Sequence, residues 1–375
     1  MSIEPLRVGI IGADTKASWA GASHIPAIQA QPGLVLAAVA TRREESAKAA
    51  AEAFGAERWY ANPYDLIHDN RIDLVTVAVK VPAHRDLVLA ALKAGKAVYS
   101  ESPLGATLAE TEEMAAATGS LHTAIGLQGR HNPSVRRAIE IVASGRLGTL
   151  LSANVRATTF GYGPTTLSGY DYFNKVASGA SFLAITAAHV LDVVEAVLGP
   201  ITEVDARTKR IWPTVAVIDT GETSHREIPD HLDLIAETRH GASVAVQVLA
   251  GIEHDPHFVM QVRGSEGTLT LRGHHLAGVQ VGDLTLSASV PFEAPDAPVA
   301  TGAVGPTAAD FWTGASINVG EVYASLARDI ASGTRRTPGF AHAAHNSRLI
   351  AAVELAAQTG QRQRIAGDAH TALAA

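Results

Sequence analysis

The chain of 375 residues has no cysteine. That excludes disulfides and thiol nucleophiles, and leaves His, Asp and Glu as the only strong metal ligands. Aromatic residues are scarce at 5%, charged residues reach only 18%, and the net charge is -7. A mildly acidic chain offers no electrostatic case for nucleic acid or an anionic membrane surface. No stretch of 18 apolar residues occurs, so no membrane-spanning helix is expected. Met1 to Pro5 carries no basic stretch leading into an apolar core, so no signal peptide is expected there, and the expected location is cytoplasmic. Gly-x-Ser-x-Gly and His-Glu-x-x-His are both absent, which argues against an elbow-type hydrolase and a helix-borne zinc site. His254 and His257, and the adjacent His274 and His275, read as loop and strand residues, so no metal is expected.

The length suits two domains. Residues 6–126 alternate short apolar runs (Leu6–Ile11, Leu34–Ala40, Leu74–Val79, Ala97–Ser100, Thr123–Ile125) with helical patterns, the signature of βαβ units on a parallel sheet. Thr41-Arg42-Arg43-Glu44 and Thr107-Leu108-Ala109-Glu110 read as capping boxes. Asn62-Pro63 and Asn132-Pro133 read as a cap residue followed by proline at the first helical position. After Gly148 one long helix, from about Phe182 to Leu198, precedes strand-like runs at Leu232–Thr238, Ser243–Leu249, Phe258–Arg263 and Thr268–Leu271. Residues 288–310 read as a surface loop, and helices near 316–332 and 341–358 close the chain. The expected class is α/β: a Rossmann-type dinucleotide-binding domain (1–126), then an α+β domain with a mainly antiparallel open sheet (127–367) and a tail (368–375).

The first strand runs into Gly12-Ala13-Asp14. A dinucleotide loop uses glycine to turn tightly and bring backbone N–H groups to the pyrophosphate. Gly12 fits the first glycine, but Asp14 occupies the second glycine position, so the fingerprint is degraded. An acidic residue ending the second strand would bind a ribose 2′-hydroxyl. Here stand Thr41 and Arg42, whose hydroxyl and guanidinium suit a 2′-phosphate, so NADP is expected in preference to NAD. Gly12, Ala13, Asp14, Trp19, Thr41, Arg42, Val79, Glu101, Ser102, Pro103 and Arg130 are the candidate cofactor contacts. Arg42 and Arg43 can also be read as solvated charges at the helix start, Arg43 nearly as readily as a phosphate contact, and Arg130 as a link between domains.

Pro82-Ala83-His84, Gly95-Lys96-Ala97-Val98, Glu101-Ser102-Pro103-Leu104, Arg130 with Pro133, Gly145-Arg146-Leu147-Gly148, Ser178-Gly179-Ala180-Ser181 and Ala188-His189-Val190-Leu191-Asp192 follow one another in an order that resembles the Gfo/Idh/MocA oxidoreductases. The resemblance implies a nicotinamide and a sugar-like small molecule in a cleft between domains. It also implies an open sheet that joins subunits, as homodimer or homotetramer. It places a catalytic lysine where this chain has Ser102, and an Asp-x-x-x-His pair at Ile185 and His189, so two of three customary groups are replaced. Trp19-Ala20, Leu127-Gln128-Gly129-Arg130 and Pro229-Asp230-His231-Leu232 look most like the branch of the family that contains a yeast galactose-pathway repressor. That implies an alternative to catalysis, a dinucleotide-binding sensor acting on a protein partner. For hydride transfer, the substitutes that remain are His189 as acid–base group, Lys80 at the carboxyl end of an apolar strand, and Tyr172, one of a group with Tyr162, Tyr170 and Lys175. Each has a plainer reading, as a core histidine, a solvent lysine and a packing tyrosine.

Overall fold

The computed structural model describes residues 4–16, 18–300 and 312–365. The expected tail and the second half of the expected 288–310 loop lie outside them. In chain order the elements begin with β1 (Leu6–Ile11), α1 (Trp19–Ala22), α2 (His24–Gln29), β2 (Leu34–Ala40), α3 (Glu44–Phe54), β3 (Arg58–Tyr60), α4 (Pro63–His68), β4 (Leu74–Val77), α5 (His84–Lys93), β5 (Ala97–Ser100), α6 (Leu108–Ala116) and β6 (Thr123–Ile125). There follow α7 (Pro133–Ala143), β7 (Leu150–Thr159), β8 (Thr165–Thr166), α8 (Ala188–Leu198), β9 (Ile201–Lys209), β10 (Thr214–Val217), β11 (Glu222–His225), β12 (His231–Thr238), β13 (Ser243–Ala250), β14 (Phe258–Gly264), β15 (Thr268–Gly273), β16 (Leu284–Ala288), α9 (Ala315–Ser332), α10 (Phe340–Thr359) and β17 (Gln363–Arg364).

These build two compact units, Met1–Gln128 with Pro298–Ala344, and Gly129–Ala297 with His345–Ala375. The sequence division into 1–126 and 127–367 therefore needs correction at its second part, because α9 returns to the first unit. Val319, Val322, Tyr323 and Leu326 of α9 share a buried cluster with Val8 and Ile10 of β1 and Ala27 and Ile28 of α2. An apolar stripe tells that a helix is buried, but not which core buries it.

The first unit holds a six-stranded sheet in the order β3-β2-β1-β4-β5-β6. Every neighbouring pair is parallel. Leu74–Val77 is buried at all four positions, as expected of a strand covered by helices on both faces. β4 ends two residues short of the apolar run, and Val79 leaves the sheet. The helix starts follow local chemistry. Asn62 Oδ1 accepts the Tyr64 N–H (3.1 Å), and Thr107 Oγ1 accepts the Glu110 N–H (3.2 Å). Thr41 does not form the expected capping box: α3 begins after Arg43, and the Thr41 hydroxyl instead lies 2.6 Å from Ser46 Oγ and 3.1 Å from the Arg43 carbonyl.

The second unit is built on an eight-stranded sheet in the order β16-β15-β14-β7-β13-β12-β9-β17. The pairing is antiparallel except between β7 and β13. One face packs on α7, α8 and the second half of α10. Helix α8 is buried at ten of its eleven residues, so it reads as apolar all round rather than amphipathic. A small sheet of β11-β10-β8 sits apart from the large one. It is anchored by Arg226, buried with Asp230, whose Oδ2 lies 3.0 Å from the guanidinium. Asp230 also accepts the N–H groups of Ile211 (2.7 Å) and Trp212 (2.9 Å).

Candidate functional site

In the first unit the carboxyl ends of β1, β4 and β5 bring Gly12, Val79-Lys80 and Glu101-Ser102-Pro103 to one edge of the sheet. The strand order runs outward in opposite directions from the β1–β4 pair, the place where open α/β sheets bind ligands. Gly12 has φ +104°, and a Cβ there would lie 2.3 Å from the carbonyl oxygen of Ala78. The position admits only a bare backbone, as a loop shaped for a pyrophosphate needs. Ala13 is fully buried behind it. Asp14, a poor neighbour for a phosphate, turns its carboxylate into the loop, where Oδ1 accepts the Lys16 N–H at 2.8 Å. The Ser18 hydroxyl donates to the Asp14 carbonyl (2.6 Å) and caps α1 by accepting the Gly21 N–H (3.1 Å). Trp19 packs edge-on against Trp312, with ring centroids 5.3 Å apart. At the end of β2, Thr41 is half-buried and engaged with Ser46, while Arg42 and Arg43 are exposed.

Two histidines hold the β4 and β5 ends. Buried His84 lies with Nε2 2.9 Å from the Val79 carbonyl and Nδ1 3.1 Å from that of Pro103, tying the segment that carries Lys80 to the segment that carries Ser102. Burial pushes the His84 imidazole pKa down. Fully buried His24 lies with Nε2 2.8 Å from Glu101 Oε1 and Nδ1 2.9 Å from the Tyr323 hydroxyl. The Tyr323 hydroxyl in turn lies 2.8 Å from Thr76 Oγ1. Burial pushes the phenols of Tyr99 and Tyr323 up, so both stay protonated. Lys80 is exposed, and Ser102 is half-buried.

In the second unit His189 and Asp192 lie buried on α8. The turn before it, Leu183–Ala187, is a π-helical turn. A wider turn alters which residues share a face, so Ile185 and His189 are not simply one α-helical turn apart. The Asn346 amide donates to the Ala188 carbonyl at 3.2 Å beside this junction. Arg130 Nη1 lies 3.1 Å from Asp192 Oδ1, with Asp192 only 1% exposed. In the sequence Asp192 stands only as the end of a family landmark and not among the candidate site residues, although an acid inside the apolar stretch Ala188–Leu198 is a usable signal. Tyr172 stands in an aromatic group, 4.3 Å from Phe173 by ring centroids. Burial pushes its phenol up to about 12, so it is a hydrogen-bond donor at neutral pH rather than a base. Among the described residues no three His, Asp or Glu side chains are grouped to hold a metal ion, and no helix is long and apolar enough to cross a membrane.

Comparison with known proteins agrees with this geometry. Residues 6–127 match the model of an oxidoreductase family with an NAD-binding Rossmann fold, and residues 133–273 match the C-terminal domain of Gal80p. A dehydrogenase from Aspergillus oryzae, aclE, is 32% identical over 256 residues, covering 64% of this chain and 68% of that one. The galactose/lactose metabolism regulatory protein GAL80 of Kluyveromyces lactis is 26% identical over 310 residues, covering 76% and 67%. Levoglucosan dehydrogenase, solved with NADH and L-sorbose, superposes with a TM-score of 0.80 at 20% identity, covering 97% of this chain and all of that one. The chain belongs to the Gfo/Idh/MocA family of NAD-binding oxidoreductases, near Gal80.

Proposed function

We propose that the protein is an NADP-preferring oxidoreductase that moves a hydride between nicotinamide and a carbon of a sugar, polyol or related carbonyl compound. The observation that carries the reading is the bare-backbone turn at Gly12, closed by the Ala78 carbonyl, with Asp14 Oδ1 held by the Lys16 N–H. Gly12, Ala13, Asp14, Trp19, Thr41, Arg42, Val79, Glu101, Ser102, Pro103 and Arg130 are the proposed cofactor contacts, with exposed Arg42 favouring the 2′-phosphate. The nicotinamide supplies a hydride acceptor or donor when bound. His189 is proposed to serve the substrate oxygen as acid–base group, assisted by Lys80 or Tyr172. The sugar-like substrate class follows relatives such as levoglucosan dehydrogenase. Removing the imidazole in His189→Ala is expected to lower turnover about 100-fold or more. Unchanged turnover in both His189→Ala and Lys80→Met would refute these roles.

A second reading, a dinucleotide-binding sensor without turnover, is favoured by Ser102, Ile185 and the match to the Gal80p C-terminal domain. Saturable cofactor binding without turnover across a panel of sugars, polyols and cyclic alcohols would support it. The reading also takes the protein as a cytosolic homodimer or homotetramer. A concavity of about 1010 Å³ lined by Asn154, Arg156, Arg207, Asp233 and Gln247 lies on the second unit, where Ile235 is 52% exposed. Sedimentation of the intact chain checks the oligomer.

A further inference from the structure

The chain Thr76–Tyr323–His24–Glu101 is a hydrogen-bonded series in which the first three residues are fully buried and the last is 15% exposed at its side chain. Its polarity follows from the donors available. A carboxylate only accepts, so His24 Nε2 must carry the proton that faces Glu101 Oε1. A neutral imidazole with a proton on Nε2 has a lone pair on Nδ1, which then accepts from the Tyr323 hydroxyl. The Tyr323 oxygen accepts in turn from Thr76 Oγ1. With His24 neutral, every donor in the series points toward Glu101. Behind the carboxylate, Gly126 leaves the room it occupies: a Cβ there would lie 2.9 Å from Glu101 Oε2. Titratable groups that face Glu101 include His24 from α2, Tyr323 from α9, His84 from α5 and Tyr99 from β5. A carboxylate so fixed, at the end of β5 and directly before Ser102, is more than a packing residue.

We infer that Glu101 is the group that takes and returns the substrate proton in the first unit, standing in for the lysine replaced by Ser102, with His24 as its positioning residue. This rests on the oxidoreductase reading and gives the proton transfer to Glu101 in place of His189. In the oxidative direction the alcohol C–H bond breaks with its electron pair going to the oxidised nicotinamide dinucleotide. The O–H bond breaks with its proton going to the Glu101 carboxylate, and the oxygen's electron pair forms the C=O bond. Glu101, then neutral, returns the proton to solvent through its exposed edge.

The test compares wild type, Glu101→Gln, Glu101→Ala, His24→Gln and Tyr323→Phe in the full chain. Two readouts are used: NADPH binding by fluorescence, and turnover across a sugar and polyol panel. Glu101→Gln is expected to lose about 100- to 10,000-fold in turnover measured at saturating NADP, the range for a lost general base, so that any weakening of cofactor binding at this contact residue does not enter the readout. Added formate is expected to restore turnover to Glu101→Ala in proportion to its concentration, which a structural role would not produce. Tyr323→Phe, which removes the hydroxyl that faces His24 Nδ1, is expected to lose less turnover than Glu101→Gln. His24→Gln, which keeps an N–H donor, is expected to lose less turnover than Glu101→Gln. Turnover retained in Glu101→Gln at saturating NADP, or no rescue of Glu101→Ala by formate, would overturn the inference while leaving the oxidoreductase reading in place. Wild-type protein that binds NADPH and turns over nothing in the panel would overturn that reading, and this inference with it.

Discussion

Replacing Gly12 by alanine probes the cofactor turn with a single methyl group. Two costs arise. A φ of +104° is a conformation that side chains rarely adopt, and forcing it on an L-residue costs about 1–2 kcal/mol. The added Cβ would also lie 2.3 Å from the Ala78 oxygen and 2.8 Å from its carbonyl carbon. Both are backbone atoms, so no rotamer change relieves the clash. The β1 and β4 ends must instead separate, straining the Ala78 N–H to Ile11 carbonyl bond (2.9 Å). Overpacking of that kind costs about a further 1–3 kcal/mol. The melting temperature of the first unit should fall by roughly 5 to 20 °C, and NADPH binding should weaken by more than tenfold. Gly55 is the control: it has φ +71° with nothing within 4 Å of an added Cβ. Gly55→Ala should cost only about 1–2 kcal/mol and leave binding intact. Thermal denaturation and fluorescence titration of both variants decide the matter. A Gly12→Ala protein that melts and binds like Gly55→Ala would refute the steric argument.

Three further perturbations test other parts of the account. Asp230→Asn leaves the buried Arg226 guanidinium without its carboxylate, and urea unfolding should show a loss of about 3–5 kcal/mol in the second unit. Burial alone would raise the Asp329 carboxyl, but the Thr334 and Thr337 hydroxyls and the Thr337 and Arg336 N–H groups hold it below the usual range. Its folded pKa is thus depressed, so its stabilisation is present above the unfolded value of about 3.9 and is lost as pH falls through the folded one. Asp329→Asn should accordingly cost about 1–3 kcal/mol at pH 7, with the gap to wild type closing in melts taken below about pH 4. Arg42→Ala should weaken NADP binding about ten- to a hundredfold, the worth of a charge-assisted hydrogen bond, and leave NAD binding unchanged.

Much of the first unit was legible because its signals are local. Asn62 and Thr107 mark helix starts within four residues of the groups they cap, as Asn132 does in the second unit. The apolar runs at Leu6–Ile11, Leu34–Ala40 and Ala97–Ser100 became β1, β2 and β5 with unchanged bounds. What stayed hidden depends on partners distant in sequence. His24 meets Tyr323 across 299 positions and Glu101 across 77, and nothing near His24 announces either. The parallel pairing of β7 with β13 inserts one strand between partners nearly a hundred residues further along the chain, which alternation of side chains cannot reveal. Thr41 shows the limit of short motifs: the spacing to Glu44 fits a capping box, but Ser46 competes for the hydroxyl. The replaced lysine at Ser102 was visible at once. The carboxylate beside it reads from sequence only as a cofactor contact, because the buried histidine behind it lies 77 positions away.

The central claim is that this chain moves a hydride without the usual lysine. The most direct measurement follows reduced-nicotinamide absorbance in the intact protein with NADP and a panel of sugars, polyols and cyclic alcohols, after cofactor binding has been confirmed by fluorescence. The account predicts saturable NADP reduction with at least one compound, carried out with Ser102 in the lysine position. Tight cofactor binding with no reduction across the whole panel would contradict it and turn the search toward a protein partner.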